Sequence, residues 1–236
     1  MNGRSFLKRL ISVIFPPLCV NCRRRMEDGA LCGNCENLIE IRSGFACPEC
    51  GRRLPEAGNV CHEKAKFILA AAAPYENPAV RELICALKYQ RMKTVLEPIS
   101  KITSRYIEKT IGNPKFETGN FVLISIPLHP EKERERGFNQ AVLIARIVND
   151  KLGIGVQENN LIRVRRTSSQ TKTKSYEERE KNVAGCFEVK NPELVAGKNV
   201  ILVDDVFTSG ATMKEAVRVL KNAGARKIIG FVVAKA

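Results

Sequence analysis

Between Asn199 and Gly224 the chain reads NVILVDDVFTSGATMKEAVRVLKNAG, and this stretch restricts the fold more than any other. Val200-Ile201-Leu202-Val203 has the length and β-branching of a strand buried on both faces. Two adjacent carboxylates, Asp204 and Asp205, end it. A short turn rich in hydroxyls follows, and then an amphipathic helix whose apolar side carries Ala216, Val217, Val219 and Leu220, with Gly224 as its stop. Strand, turn and helix in that order put backbone N–H groups and the positive end of a helix at the carboxyl edge of a sheet, where a phosphate binds. Val206, Phe207, Thr208, Ser209, Gly210, Ala211 and Thr212 form the candidate phosphate cradle. Gly210 lets the backbone approach a ligand, and the hydroxyls of Thr208, Ser209 and Thr212 are donors to phosphate oxygens.

The acidic pair repels phosphate and needs another partner. Ionised carboxylates only accept hydrogen bonds, so the vicinal hydroxyls of a ribose suit Asp204 and Asp205. A ribose diol at one end and a 5′-phosphate at the other fit the whole stretch. Two plainer readings compete: acids that cap a turn, or a magnesium-holding aspartate of a nucleotide hydrolase. The second needs a G-x-x-x-x-G-K-[ST] loop, which the sequence lacks.

Seven of the nine cysteines precede residue 62, a skew that points to a metal module rather than a secreted disulfide scaffold. Cys19-x-x-Cys22 and Cys32-x-x-Cys35 are paired knuckles whose four thiolates can close a tetrahedral zinc site. An iron–sulfur site and a redox dithiol are the alternatives. Cys47-Pro48-Glu49-Cys50-Gly51 is a third knuckle, but its partner half has Lys64 where a second C-x-x-C needs cysteine. A second zinc would use Cys47, Cys50 and Cys61 with His62 or another donor; otherwise these cysteines are a metal-free remnant. Zinc is structural in either case, since a full ligand shell leaves no open position. Arg23-Arg24-Arg25 and Arg52-Arg53 read as a solvated face or a nucleic-acid contact.

The formal charge of +14 points to an acidic ligand, nucleic acid or a membrane face, with solvated lysine as the plain alternative. The absence of Trp weakens a base-stacking groove without touching a phosphate-reading one. Residues 6–15 form a short apolar run without a cleavage site and are expected as an amphipathic helix packed on the protein. Nothing else is long enough to span a bilayer, so a cytoplasmic protein is expected.

Two units are expected, residues 1–65 and 66–236. In the second, Phe67 to Tyr75 reads as an edge strand, Pro78 to Leu87 as a helix, and Thr94 to Ile111 as another. Lys88 either satisfies the end of the first helix or contacts a pyrophosphate. Phe121 to Ile126 is a buried strand leading into His129, expected as a turn residue or a proton shuttle, and a charged run containing Arg134 and Arg136. Those arginines clamp a pyrophosphate or pair with neighbouring glutamates on a surface helix. Leu161 to Val164 is a short strand. It opens a polar basic stretch with Arg165, Arg166, Gln170 and Lys172, expected as a mobile loop that closes over a polyphosphate or stays uncommitted. A serine-capped helix starts at Ser175, and Lys227 to Ala234 is the last strand. Cys85 and Cys186 are expected as core-filling thiols.

Strands alternating with helices argue for an open parallel α/β sheet. The VDDVFTSGAT stretch resembles the phosphoribosyl pyrophosphate (PRPP) signature of type I phosphoribosyltransferases. With the cysteine module, Leu87-Lys88-Tyr89, Ile126-Pro127-Leu128, the Arg134 to Gln140 region and the loop after Arg165, nearly the whole chain resembles the ComF competence-protein family. The resemblance implies a type I phosphoribosyltransferase-like domain behind a zinc-ribbon module, associated with uptake of transforming DNA. It implies that Asp204 and Asp205 hold the ribose hydroxyls and Thr208 to Thr212 the 5′-phosphate, with Mg²⁺ accompanying PRPP. Members are also labelled amidophosphoribosyltransferase-like; with Met1-Asn2-Gly3 and no amino-terminal nucleophilic cysteine, glutamine amidotransfer is not expected. Two functions stay open: phosphoribosyl transfer with release of pyrophosphate, and non-catalytic binding of a nucleotide or single-stranded DNA by a partner of the DNA-uptake machinery.

Overall fold

The computed structural model describes residues 16–55, 61–111, 119–165 and 181–236. The expected helices at 6–15 and from Ser175 lie outside these, as do Arg166, Gln170 and Lys172. In chain order the elements are α1 (Gly33–Asn37), β1 (Phe45–Ala46), β2 (Arg53–Leu54), β3 (Ile68–Pro74), α2 (Pro78–Tyr89), α3 (Leu96–Ile111), β4 (Phe121–Ser125), α4 (Pro130–Arg136), α5 (Gln140–Leu152), β5 (Leu161–Arg163), β6 (Phe187–Val189), β7 (Asn199–Phe207), α6 (Ala211–Asn222) and β8 (Ile228–Lys235).

The main sheet runs β2-β1-β3-β8-β7-β4. Its four inner-to-outer strands β3, β8, β7 and β4 are parallel, as the alternation of strands and helices predicted. The signature strand β7 lies between β8 and β4, which explains its unbroken apolar run: both faces are covered. One face packs α2, α3 and α5 through Leu83, Leu87, Ile99, Tyr106 and Ile144 onto Ile201, Val203 and Phe231. The other packs α6 through Met213, Ala216 and Leu220 onto Val200 and Leu202. Each fully buried leucine or isoleucine contributes about 2 kcal/mol relative to exposure. The ribbon β5–β6 joins this second face through Leu161 and Phe187.

The segment from Phe67 to Tyr75 is not an edge strand. β3 pairs with β8 on one side and, through Ala46 opposite Leu69, with the antiparallel hairpin β1–β2 on the other. Its burial across Ile68 to Ala73 follows from this double coverage. The cysteine-rich region therefore adds two strands to the α/β sheet, and its Val20, Leu31, Ile39 and Ile41 share the core of the α2–α3 face.

Caps fix the helices that frame the sheet's carboxyl edge. Asn77 accepts from the amides of Ala79 (3.0 Å) and Val80 (3.3 Å), with Pro78 at the first helical position. Buried Asn139 accepts from the amide of Ala141 (2.9 Å) and donates to the carbonyl of Ile126 (3.0 Å), tying the start of α5 to the exit of β4. Cys186 is buried as expected; Cys85 is only half-buried, on the face of α2 turned toward Tyr75, whose hydroxyl pKa is raised first by burial and then by that thiol. No helix among the described residues is long and apolar enough to cross a membrane.

Candidate functional site

At the end of β7, Gly210 takes a left-handed conformation (φ 76°) and begins α6 without a side-chain cap. A Cβ there would lie 2.8 Å from Phe207 Cε2 and closer still to the ring tip, so the turn's shape depends on glycine. Among the described residues, the backbone amides of Thr208, Ser209 and Gly210 donate to no protein acceptor. The amide of Ala211 is loosely held by the Ser209 hydroxyl (3.5 Å). An uncapped helix start with three open amides ahead of it is a positive cradle.

Asp204 and Asp205 project to opposite faces of β7. Asp205 is 3% exposed, and its Oδ1 accepts from the Lys88 ammonium at 2.8 Å. Its Oδ2 is closed from solvent with no hydrogen-bond partner. Lys88 thus does not serve the end of its own helix; it reaches across to the signature strand. Burial works to lower its pKa, but the Asp205 charge and hydrogen bond outweigh that and raise it. Asp204 is partly exposed, and its Oδ1 accepts from the amide of Asp205 (2.8 Å). Its carboxyl is pushed up to about 7, first by burial and then by the neighbouring Asp205 charge, against the opposing pull of Lys88 and Arg163. The two carboxyls therefore sit in different settings, Asp205 in a buried ion pair and Asp204 partly exposed with its pKa raised to about 7.

The motifs of Lys88-Tyr89 and Arg134–Gln140 meet in space. The Arg136 guanidinium lies over the exposed Tyr89 ring (5.7 Å to the centroid) and donates to Gln140 Oε1 (2.9 Å), and Lys93 sits over Phe138 (5.4 Å). The expected surface helix forms as α4, but among the described residues neither Arg134 nor Arg136 pairs with one of its glutamates. Arg134 is exposed. His129 is the N-cap of α4, its Nδ1 accepting from the amide of Glu131 (3.3 Å), which is the turn role. Arg165 is fastened: its guanidinium donates to the carbonyls of Asn182 (3.4 Å) and Ala184.

Both cysteine clusters are assembled. The sulfurs of Cys19, Cys22, Cys32 and Cys35 lie within 4.8 Å of one another, and so do the ligand atoms of Cys47, Cys50, Cys61 and His62. In the second cluster His62 Nδ1 is 3.5 Å from Cys47 Sγ and 3.2 Å from Cys61 Sγ, so histidine takes the place for which Lys64 is unsuited. Four thiolates, and three thiolates with one imidazole, are both zinc sets of tetrahedral reach, and the clusters suggest structural zinc. Burial raises the Cys19 thiol, but the amides of Cys32, Cys22 and Asn21 outweigh it and bring it to about 6; Cys47 falls to about 6 against burial through the amides of Cys50 and Glu49. Cys35 is pushed up to about 12, chiefly by burial. In each cluster one thiol is thus lowered by surrounding backbone amides, for Cys19 first by that of Cys32 in the facing knuckle and for Cys47 by those of its own knuckle.

Sequence reasoning missed a contact between the second knuckle and the phosphate turn. Glu49 Oε2 accepts from Lys214 of α6 at 2.8 Å, and residues 48–51 face Thr208 and Ser209 across a cavity of about 530 Å³. The two partners stand 165 positions apart in the chain, and no local pattern announces them. Arg163 beside Asp204 was missed too; the only signal was its place in the short strand before the basic stretch.

This site, on a parallel sheet with a cysteine-rich hairpin at its edge, defines a phosphoribosyltransferase-like protein carrying a zinc ribbon. Residues 139–236 match the phosphoribosyl transferase domain family, and residues 10–64 match the double zinc ribbon domain. The chain is 28% identical over 209 residues to competence protein ComFC of Bacillus subtilis, covering 84% of this chain and 80% of that one. It is 25% identical to the DNA utilization protein YhgH of Salmonella typhimurium (90% and 94% covered) and 24% identical to competence protein F of Haemophilus influenzae (92% and 96%). These similarities, which run over most of the chain, support a ComF-family protein.

Proposed function

We propose that the protein binds PRPP or a related ribose 5-phosphate at the end of β7 and acts in the handling of incoming DNA. The observation that carries the ligand is the uncapped start of α6, with the amides of Thr208, Ser209 and Gly210 open to an anion. The 5-phosphate sits on those amides and on the hydroxyls of Thr208, Ser209 and Thr212. The exposed side of Asp204 accepts from the ribose hydroxyls. Lys88, fixed by Asp205, and Arg136, stacked on Tyr89, face the diphosphate end. The role in DNA handling rests on the names of the relatives.

Phosphoribosyl transfer breaks the bond from the anomeric carbon to the diphosphate oxygen, whose electron pair leaves with pyrophosphate, and a nucleophile supplies the new bond. Asp204, when ionised, lowers the cost of positive charge at that carbon, Asp205 holds Lys88 in position, and Lys88 and Arg136 offset the negative charge on the departing group. Mg²⁺, bound with the ligand, would neutralise diphosphate charge. The second reading, binding without transfer, is favoured by the exposed Arg23, Arg24 and Arg25 on the metal module.

Calorimetric titration with PRPP and Mg²⁺ tests the proposal: wild type binds, Asp205→Ala does not. Loss of PRPP binding in both proteins, alongside a salt-sensitive DNA complex that survives, would end the ligand reading. The pH dependence follows from Asp204. Hydroxyls donate to the ionised carboxylate, so affinity rises as pH climbs through about 7. The folded state holds this proton more tightly than the unfolded chain does, so stability falls between pH 3.8 and about 7 and then levels. Asp204→Asn removes the pH step in binding, weakens binding throughout, and raises the melting temperature at pH 8 relative to wild type.

A further inference from the structure

The turn after β7 is open on one side. Thr208 and Ser209 open onto the cavity of about 530 Å³ whose far wall is the turn Pro48–Gly51 of the second cysteine cluster. Two lysines line it. Lys214 is held by Glu49. Lys235, at the end of β8, pairs in register with Phe207, and its ammonium has no ion pair or hydrogen bond among the described residues. Gly51 makes room for it: a Cβ at that position would stand 2.5 Å from Lys235 Nζ. The cavity is lined by two ammonium groups, one carboxylate and the Cys50 sulfur of the second cluster, next to the hydroxyls that would hold a 5′-phosphate.

A ligand ending in a 5′-monophosphate, such as PRPP, would leave this space to water. Its charge and position suit one more anionic group attached to the 5′-phosphate, with oxygens facing Lys235. Resting on the reading of the β7 turn as a ribose 5-phosphate cradle, we infer that the space between the second metal knuckle and this turn is a subsite for a second phosphate, and that the preferred ligands are ribose 5′-diphosphates. Lys235 is the residue that selects them, and Glu49 keeps Lys214 turned to the same wall. Such a group occurs at the base-free ribose of a nucleoside diphosphate sugar such as ADP-ribose and in a nucleoside diphosphate.

Calorimetric titration of the zinc-loaded full chain with ribose 5-phosphate, ADP-ribose, AMP and ADP distinguishes these cases. Wild type is expected to prefer ADP-ribose to ribose 5-phosphate, or ADP to AMP, by about tenfold, the scale of one charge-assisted hydrogen bond. The first preference marks the bridged diphosphate as the ligand, and the second the nucleoside diphosphate. Lys235→Ala, a half-exposed side chain at a strand end, brings the affected ratio close to one, and Lys235→Arg retains the preference. Equal affinities for the mono- and diphosphate forms in wild type, or a loss in Lys235→Ala that is the same for both, overturn the subsite while leaving the cradle in place. No binding of any of the four overturns the cradle itself.

Discussion

The two cysteine clusters use nearly the same ligands and reach opposite parts of the molecule. In the first, Cys35 is followed by Glu36, which meets Lys101 of α3 at 3.4 Å, and the surrounding Val20, Leu31 and Ile39 enter the core. In the second, Glu49 precedes Cys50 and meets Lys214 of α6 at 2.8 Å, while the hairpin it closes joins the sheet. Each cluster presents a cysteine-bearing turn carrying one glutamate to one lysine on a helix of the α/β body. The first secures framework alone; the second secures the hairpin and also forms a wall of the cavity beside the β7 turn. What a metal knuckle does is decided less by its ligands than by the helix its flanking carboxylate finds.

The largest expected effects break or sustain this contrast directly. Cys22→Ser and Cys50→Ser should each cost zinc, read by metal analysis. Both should lower the melting temperature, because a structural metal supplies folding energy of about 10 kcal/mol and apolar residues beside each cluster join the core, Val20 and Leu31 at the first and Phe45 and Leu54 at the second; Cys22→Ser should leave ribose 5-phosphate binding unchanged at temperatures where the protein stays folded. Cys50→Ser should weaken ribose 5-phosphate binding more than it lowers stability. Equal effects of the two on both measurements would erase the distinction.

A middle-sized effect tests whether the sheet body is independent of both clusters. Lys88→Met leaves the Asp205 carboxylate buried without its partner and should cost about 3 kcal/mol in urea unfolding. Adding Asp205→Asn should return most of that loss, with zinc content unchanged throughout. Loss of zinc in Lys88→Met would show the parts to be one cooperative unit.

The smallest effects separate the two glutamates. Glu36→Gln removes a pair whose lysine is half exposed, and should change stability by about 0.3 kcal/mol. Glu49→Gln removes a shorter and less exposed pair and should cost about 1 kcal/mol, together with a change in anion affinity. A change in anion affinity with Glu36→Gln would sharpen the comparison against our assignment.

Local chemistry made much of this legible. The β-branched run of β7, the glycine of its turn and the amphipathic helix after it are each set by neighbours in sequence, and the observed strand and helix follow them closely. The cysteine spacings fixed which sulfurs converge. The position of β3 was not legible, because its neighbour β1 is two residues long and has no periodicity to read. Nor were the ion pairs Lys88–Asp205 and Glu49–Lys214, whose partners meet only after the sheet has ordered their strands. Tyr89 reads in sequence as the last residue of a helix; its use as a platform for Arg136 needs α4 brought alongside.

The hairpin β1–β2 has one more consequence. β3 is almost entirely alanine, isoleucine and leucine, a stretch that as a bare margin would offer its unpaired amides and carbonyls to any other chain. The second cysteine cluster closes the hairpin that shields it. Zinc supply during synthesis would then govern self-association as well as ligand recognition: chains that fold before loading would stick to one another, and the sign of it would be turbidity that rises with protein concentration and vanishes when zinc is present from the start.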